Sequence, residues 1–287
     1  MSMKSRVSLL VAVAAAAGLW GANAAHADPQ TITLNLSDET LVGHIPSPPP
    51  VTSGDINGAT FSRNFTQPAG TGFIDPFVRI QSGQQEAGYN TEGDEEFETK
   101  DAGGHNWDHG VQLKDVGTTS IGGVDYIQFF LDLNESNANT ADKHLLSMFE
   151  FEVYLDDTPF NDDYAAGLGD KIYDMDELGD ATVVLDHDLA PGSGKFDMVV
   201  NVKRDLFGTD LNQFLYLYTA FGDRYSGPPD LFYDSDAGFE EWTVQFSPQT
   251  PPPPPPVVPV PAAVWGGMGL FGMIGAGKWF RRRRNED

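Results

Sequence analysis

Short segments that alternate apolar and polar residues most constrain what this chain can fold into. The spacing over residues 145–155 predicts a strand with Phe149, Phe151, Val153 and Leu155 facing a core. Other segments with strand character lie at residues 31–36, 73–80, 121–133, 182–185, 197–202, 214–218 and 241–246. Turns rich in Gly, Asp, Asn and Pro separate these segments. The pattern therefore predicts an all-β fold, an antiparallel β-sandwich or jelly-roll-like domain.

Three local features refine this assignment. Pro76 predicts an edge strand or a bulge, because proline cannot donate to a central ladder. The glycine pair Gly122–Gly123 is expected to bend the chain into a strand within residues 121–133. Residues 44–58, which are rich in proline, are expected to form a loop after the first strand.

The first 27 residues have the pattern of a secretory signal peptide. Lys4 and Arg6 precede an apolar run at residues 7–17, and small-x-small sites end at Ala24 and Ala27. Cleavage by signal peptidase would leave a mature chain that begins near residue 28. The alternative is an N-terminal membrane anchor, although the apolar run is short for a membrane span.

The last part of the sequence has the composition of a membrane segment behind a stiff spacer. Residues 251–256 are all proline, and six residues of polyproline extend roughly 19 Å at about 3.1 Å each. Residues 257–277 carry no charge, and a helix of that length covers roughly 30 Å, enough for a bilayer core. The arginines that follow are expected to stay in the cytoplasm. Six glycines weaken the helix, so a plain anchor and a transient recognition signal both remain open.

The order of motifs in this tail resembles the PEP-CTERM class of sorting signals, in the variant that begins Val-Pro-Leu-Pro-Ala. The residues that carry the resemblance are Val258, Pro259, Val260, Pro261, Ala262 and Ala263, followed by Arg281, Arg282, Arg283 and Arg284. The resemblance, which covers residues 257–284, implies recognition and cleavage by an exosortase in a Gram-negative bacterium that makes exopolysaccharide. It implies an inner-membrane precursor with a periplasmic body, and then delivery to the cell surface or the extracellular matrix.

Segments of the body, residues 28–250, also resemble exported domains that carry such tails. These segments are residues 72–79, 86–91, 121–126 with 130–135, and 235–242. The resemblance implies an extracellular β domain and brings no catalytic residues.

Charge and cysteine content exclude several classes of function. The body has 10 basic and 40 acidic residues, so binding to nucleic acid is excluded by the sign of its charge. The acidity fits a solvated extracellular surface or the binding of divalent cations. The chain has no cysteine, which excludes a thiol nucleophile and Cys-ligated metals.

Calcium is the one cofactor that the sequence suggests. Asp132, Asn134 and Glu135 are the preferred ligands, because the end of a strand fixes their directions. Further acidic groups are Asp174, Asp176, Glu177 and Asp180; Asp156, Asp157, Asp162 and Asp163; and Asp234, Asp236 and Glu240. None matches an EF-hand, and the alternative is that all of them are solvated turn residues.

Two other patterns contain residue types that are found in catalytic or metal sites. Glu150 and Glu152 share one face of a strand, as paired carboxylates of glycosidases do, but Leu155 stands where a third acidic residue would complete the trio. His105 and His109 are spaced for zinc on a helix, but glycines flank them and favour a polar loop.

These observations predict a non-enzymatic exported protein of the cell surface or matrix, with divalent cations or exopolysaccharide as its ligands. The alternative is a secreted carbohydrate-binding or glycoside-cleaving protein. Aromatic side chains that would stack on sugars if exposed are Tyr216, Tyr218, Tyr225 and Tyr233. Tyr216 and Tyr218 share one face of a strand, and at this spacing the more common alternative is packing within the sheet.

Overall fold

The chain is described by a computed structural model that covers residues 32–41, 48–67, 75–81, 85–93, 97, 108–135, 143–191, 194–222, 233–235 and 238–247. The described residues belong to one compact unit and contain strands and short 3₁₀ turns but no α-helix. The strands are β1 (Ile32–Asn35), β2 (Ser53–Ile56), β3 (Ala59–Ser62), β4 (Val78–Ile80), β5 (Gln85–Tyr89), β6 (Val111–Gln112), β7 (Thr119–Ile121), β8 (Val124–Asp132), β9 (Leu145–Asp156), β10 (Asp170–Asp174), β11 (Ala181–Asp186), β12 (Met198–Lys203), β13 (Phe214–Gly222) and β14 (Glu240–Val244). The 3₁₀ turns are Leu113–Asp115, Tyr164–Ala166, His187–Leu189 and Arg204–Phe207.

The strands form two sheets of seven strands each. Sheet 1 has the order β1-β11-β9-β13-β5, with β10 beside β9 and β6 beside β13. Sheet 2 has the order β2-β3-β12-β8-β14-β4, with β7 beside β8. The prediction of an all-β fold is confirmed. The prediction that all strands are antiparallel is wrong for one pair. Strand β1 runs parallel to β11, with Ile32 opposite Ala181.

The two sheets pack face to face around Phe151 of β9. Its ring lies 5.8 Å from that of Phe61, 5.5 Å from that of Phe129 and 5.2 Å from that of Trp242, measured between centroids. These three partners all come from sheet 2, and all four side chains are fully buried. Aromatic pairs at such distances and angles add stabilisation beyond the apolar area that they bury.

The alternation predicted for β9 is confirmed over most of the strand. Phe151, Val153 and Leu155 are buried in the core between the sheets. Phe149 is an exception, because it packs on the opposite face of sheet 1. The register against β13 shifts here, from Glu150 opposite Ala220 to Met148 opposite Phe221, so β9 has one extra residue at Phe149. This β-bulge turns Phe149 outward.

Two-residue turns close two hairpins that were not predicted. Gly122 and Gly123 have φ angles of +61° and +86° and join β7 to β8, so the glycine pair reverses the chain instead of bending it within one strand. Asn57 and Gly58, with φ angles of +47° and +88°, join β2 to β3. Asn-Gly turns match the twist of paired strands. The expectation of a loop over residues 44–58 is therefore wrong for residues 53–56, which form β2. The edge strand predicted from Pro76 is confirmed, because β4, which begins two residues later, is the last strand of sheet 2.

The predicted terminal segments lie outside the described residues. These are the signal peptide at residues 1–27, the spacer at 251–256 and the sorting signal at 257–284. Within the part of the chain that the structure describes, no helix has both the length and the apolar character needed to span a bilayer.

Candidate functional site

A layer of tyrosines covers the outer face of sheet 1, the face turned away from sheet 2. Tyr89, Tyr154, Tyr216 and Tyr218 form this layer together with Leu168 and Ala220. The hydroxyl of Tyr216 donates to the carbonyl of Thr158 at 2.6 Å and accepts from the backbone N–H of Asn161 at 3.2 Å. The segment between β9 and β10 is thereby fixed over the tyrosines.

The aromatic residues that were expected to be exposed have different environments. Tyr216 is fully buried and Tyr218 is only 9% exposed, so exposure is wrong for both and the alternative, packing on the sheet, is confirmed. Tyr233 packs against a separate apolar cluster that includes Leu41 and Leu145. Tyr225 lies outside the described residues. Strand spacing gave the correct face for Tyr216 and Tyr218, but it could not show that a loop covers that face.

An aromatic groove remains open beside this layer. Its volume is about 340 Å³, and it is lined by Gln85, Glu86, Ala87, Phe97, Phe149, Tyr218 and Ala220. Phe97 is 42% exposed and makes edge contacts with Tyr89 and Tyr164 at ring centroid distances of 6.1 Å and 6.0 Å. The bulge in β9 is what brings Phe149 into this groove. The groove offers apolar ring surfaces to a ligand, with polar groups at its edge.

A hydrogen-bonded ion cluster on the same face surrounds Glu152, whose side chain is 5% exposed. Its carboxylate accepts from the hydroxyl of Tyr154, from the hydroxyl of Tyr164 at 3.0 Å and from Nζ of Lys171 at 2.5 Å. Lys171 also donates to Asp174 at 2.9 Å. Burial alone would lower the pKa of Lys171, but the hydrogen bonds to Glu152 and Asp174 raise it above its ordinary value. Burial and the charge of Glu152 raise the pKa values of both tyrosines.

Three carboxylates of this face lie close enough to share a cation. Oxygens of Glu150, Glu152 and Asp174 are within 4.8 Å of one another. The ammonium group of Lys171 already lies against two of them and supplies positive charge there. A metal ion would have to displace it. Glu152 already accepts hydrogen bonds from three donors. In the glycosidase alternative, a sugar would have to compete with these donors for its carboxylate.

A second acidic group lies at one end of the sandwich, and we call it the glutamate cluster. It consists of Glu86, Glu135 and Glu240, which are 3%, 4% and 0% exposed. Burial and the adjacent carboxyl of Glu86 raise the pKa of Glu240 well above its ordinary value, and the charge of Glu135 raises it further.

The residues predicted to bind calcium point in different directions. Asp132 accepts from the backbone N–H of Gly194 at 2.7 Å, on the outer face of sheet 2. The side-chain amide of Asn134 donates to the carbonyl of Phe239 at 3.0 Å. Glu135 joins the glutamate cluster. Calcium binding by Asp132, Asn134 and Glu135 together stays a prediction.

Asp132 has a buried acidic neighbour, Asp197. Asp197 accepts from the backbone N–H of Leu133 at 2.8 Å and so fixes the chain where β8 ends. Burial and the charge of Asp132 raise the pKa of Asp197 to about 8, although the hydrogen bond from Leu133 acts in the opposite direction. Burial also raises the pKa of Asp132 to about 6.

Other acidic groups singled out from the sequence serve as turn and cap residues. Asp174 and Asp176 accept from backbone N–H groups at 2.7 Å each, and Asp156 and Asp163 accept from N–H groups two and three residues further on, at 2.9 Å and 3.1 Å. Such local bonds are a common structural role of aspartate. His105 and Asp236 lie outside the described residues, so neither zinc binding by His105 and His109 nor the polar-loop alternative is tested.

Comparison with protein-family models, with curated proteins and with solved structures found no match for this chain.

Sequence reasoning missed several residues of these sites. Glu86 carried no clear signal, because its neighbours in β5 range from the exposed Gln85 to the buried Tyr89. Lys171 did carry a signal, because it is one of only 10 basic residues in a body that has 40 acidic ones. Phe97 and Asp197 had no comparable pattern around them.

Proposed function

We propose that this chain is an exported cell-surface or matrix protein whose β-sandwich binds polysaccharide through the aromatic groove on the outer face of sheet 1. The single observation that carries the proposal is the combination of Phe97, Phe149 and Tyr218 in one groove with a volume of about 340 Å³. This volume falls within the range of small-ligand sites.

The chemistry of the groove favours a sugar. Aromatic rings pack against the apolar faces of sugar rings, and carboxylate or amide groups accept hydrogen bonds from sugar hydroxyls. Gln85 at the groove and Glu150 on the same face of sheet 1 supply such groups. Since the body has 40 acidic and 10 basic residues, a polyanionic polysaccharide would be repelled, and a neutral one is the better ligand.

The proposal places the sandwich, with a jelly-roll-like arrangement, outside the inner membrane of a Gram-negative cell. Support comes from the signal peptide pattern at residues 1–27 and the PEP-CTERM-like segment at residues 257–284. Signal peptidase and an exosortase would act on these segments, and the body would then reside at the cell surface or in the exopolysaccharide matrix. The binding role requires no catalysis.

Electrophoresis of the purified protein through gels that contain a glycan tests the binding role. One gel holds a neutral β-glucan, a second a neutral galactomannan, and a third a polyuronate. We expect at least one neutral polysaccharide to retard the protein and the polyuronate to leave it unretarded. Equal mobility in all gels and in a glycan-free gel would contradict the proposal.

A glycoside-cleaving enzyme is the second candidate, because Glu150 and Glu152 lie close together on the face that holds the groove. Release of reducing ends from the retarding polysaccharide measures this activity. Release that Glu150→Gln abolishes would establish the enzyme reading, and retardation without release favours the binding protein.

A further inference from the structure

We propose that the aromatic groove prefers polysaccharides that contain amino sugars with protonated amino groups, and that Glu150 binds the ammonium group of such a sugar. The inference rests on the proposed function, because it names the chemical class of the polysaccharide that the groove binds. Neutral sugars would bind through the aromatic rings alone, and amino sugars would bind through the rings and the carboxylate together.

The bulge in β9 places a ring and a carboxylate side by side on the outer face of sheet 1. Phe149 lines the groove, and Glu150 follows it in the chain. In a regular strand two successive side chains point to opposite faces. Because the extra residue of the bulge is Phe149, both side chains lie on the outer face here. Glu150 is therefore next to the groove along its own strand.

The neighbouring strand also places Glu150 at the groove. Glu150 is opposite Ala220 in the register of β9 and β13, and Ala220 is opposite Ala87 in the register of β13 and β5. Residues directly opposite each other in an antiparallel pair have Cβ atoms about 5 Å apart. Both alanines line the groove, and their side chains end at Cβ. A sugar that lies on these alanines would have the carboxylate of Glu150 at the end of the same row.

The outer face of sheet 1 already binds one ammonium group with a ring and a carboxylate. Nζ of Lys171 lies 5.4 Å from the ring centroid of Tyr154 and bonds to the carboxylate of Glu152. The attraction of a cation to an aromatic face adds to the charge-assisted hydrogen bond. The groove offers the same two kinds of group, the rings that line it and the carboxylate of Glu150, to an ammonium group from a ligand.

Exposure distinguishes Glu150 from the carboxylate beside it. Oxygens of Glu150 and Glu152 lie within 4.8 Å of each other. The side chain of Glu152 is 5% exposed and bonds to three donors of this chain, so its role is structural. Glu150 is half-buried, so solvent and ligands reach it. Glu150 is therefore the member of this pair that can contact a sugar.

The charge of the whole body favours the same class of ligand. The body has 40 acidic and 10 basic residues, so its long-range field attracts cations. A field of this kind raises the rate of association with any cationic polymer and does not by itself select a sugar. Selection requires the groove, and the experiment must separate the two effects.

Isothermal titration calorimetry of the purified protein with three ligands of equal length tests the inference. A hexamer of β-1,4-linked glucosamine carries both rings and charge, at a pH at which its amines are protonated. The hexamer of N-acetylglucosamine has the same backbone without the charge, and hexalysine has the charge without sugar rings. We expect the glucosamine hexamer to bind about tenfold or more tightly than each of the other two.

Variants locate the ammonium group and the sugar rings separately. Glu150→Gln keeps the size of the side chain but removes its charge, so it should reduce the preference for the glucosamine hexamer to less than about threefold. Its affinity for the neutral hexamer should stay unchanged. Asp205→Asn is the matched control, because it removes the same charge at an exposed residue that follows β12 of sheet 2, and it should keep the full preference. Phe97→Ala should weaken the binding of both sugar hexamers.

Four results would overturn the inference. Equal affinities for the two sugar hexamers would show that the amine makes no contact, and binding of neither hexamer would exclude this class of sugar. Hexalysine that binds as tightly as the glucosamine hexamer would show that net charge alone attracts the ligand. Retention of the full preference in Glu150→Gln would show that another group binds the amine.

The proposed function fails by a different result. If a neutral polysaccharide still retards the protein in the gel, the groove remains a polysaccharide site and only the preference for amino sugars is wrong. If no neutral polysaccharide retards it, both proposals are wrong. The comparison of the three hexamers uses the unaltered protein, so it decides the preference even if Glu150→Gln does not fold.

Discussion

The ring of Tyr164 stacks on the ring of Tyr218 at a centroid distance of 4.1 Å and an interplanar angle of 23°. Tyr164 belongs to the segment between β9 and β10, and Tyr218 belongs to β13. The stack joins this segment to sheet 1 and closes one side of the tyrosine layer. Phe97 packs against both rings and still keeps 42% of its surface in solvent, so it is the aromatic side chain of the groove most available to a ligand.

Replacement of Phe97 by alanine should weaken polysaccharide binding about tenfold or more, because a stacking surface at the centre of a site contributes strongly to affinity. Affinity gel electrophoresis measures the change. Phe65→Ala is the control, since Phe65 packs against Phe130 on the outer face of sheet 2. Equal affinities of the two variants would show that the polysaccharide does not bind in the groove.

Replacement of Lys171 by methionine should destabilise the fold by about 1–3 kcal/mol, because buried Glu152 loses its charged donor. Urea unfolding measures the free energy. Addition of Glu152→Gln to this variant should recover much of the loss. Lys114→Met, at an exposed position, should change stability by less than about 0.5 kcal/mol. If Glu152→Gln gives no recovery, the ion pair is not the cause.

Phe151→Ala should cost about 3–5 kcal/mol, because it removes the ring that contacts three aromatic residues of the opposite sheet. The comparison is Phe160→Ala, at a phenylalanine that is 63% exposed, which we expect to be nearly neutral. Both values come from urea unfolding. Similar costs for the two variants would mean that the sheets do not pack through Phe151.

Stability should fall as pH rises, in part because of Asp197. Its pKa is raised to about 8, so the folded chain holds the proton more tightly than the unfolded chain does. The resulting stabilisation is complete below about pH 4 and is lost as pH rises through about 8.

Asp197→Asn should remove this contribution, so the stability of the variant should depend less on pH. The free energy of unfolding of the variant minus that of the unaltered protein should therefore increase by about 2 kcal/mol or more between pH 5 and pH 9. Urea titrations at the two pH values measure it. Asp205→Asn, at an exposed aspartate, should show no such trend. A pH-independent difference for Asp197→Asn would contradict the raised pKa.

Export and processing make a separate prediction. Mass spectrometry of the mature protein should find an N-terminus near residue 28 and a C-terminus that lacks the arginines at 281–284. Exchange of those arginines for alanine should leave unprocessed chain in the cell. Detection of an intact C-terminal peptide on the extracellular protein would refute processing at residues 257–284.

The strands were predictable where one face of a sheet is buried against the other. The period-two pattern identified β9 and the inward direction of Phe151, Val153 and Leu155, because burial of one face imposes that period. The outward position of Phe149 was not predictable. A bulge depends on the register with β13, which no pattern within β9 encodes.

The sites were less predictable than the strands, because they depend on contacts between distant segments. Glu135 was chosen from its place at a strand end, and its neighbours Glu86 and Glu240 come from other strands. Asp132 and Asn134 were chosen on the same local grounds, yet each bonds to a backbone group elsewhere. A local cluster of acidic residues does not reveal which of them turn inward.

The parallel pairing of β1 with β11 has a consequence for biosynthesis. Ala181, the residue that pairs with Ile32, is synthesised about 150 residues after it. At roughly 5–20 residues per second, the ribosome takes about 7 to 30 seconds to supply it. During that interval the backbone N–H and C=O groups of β1 have no ladder partner. We therefore expect β1 to be the strand of sheet 1 that most depends on a chaperone during synthesis.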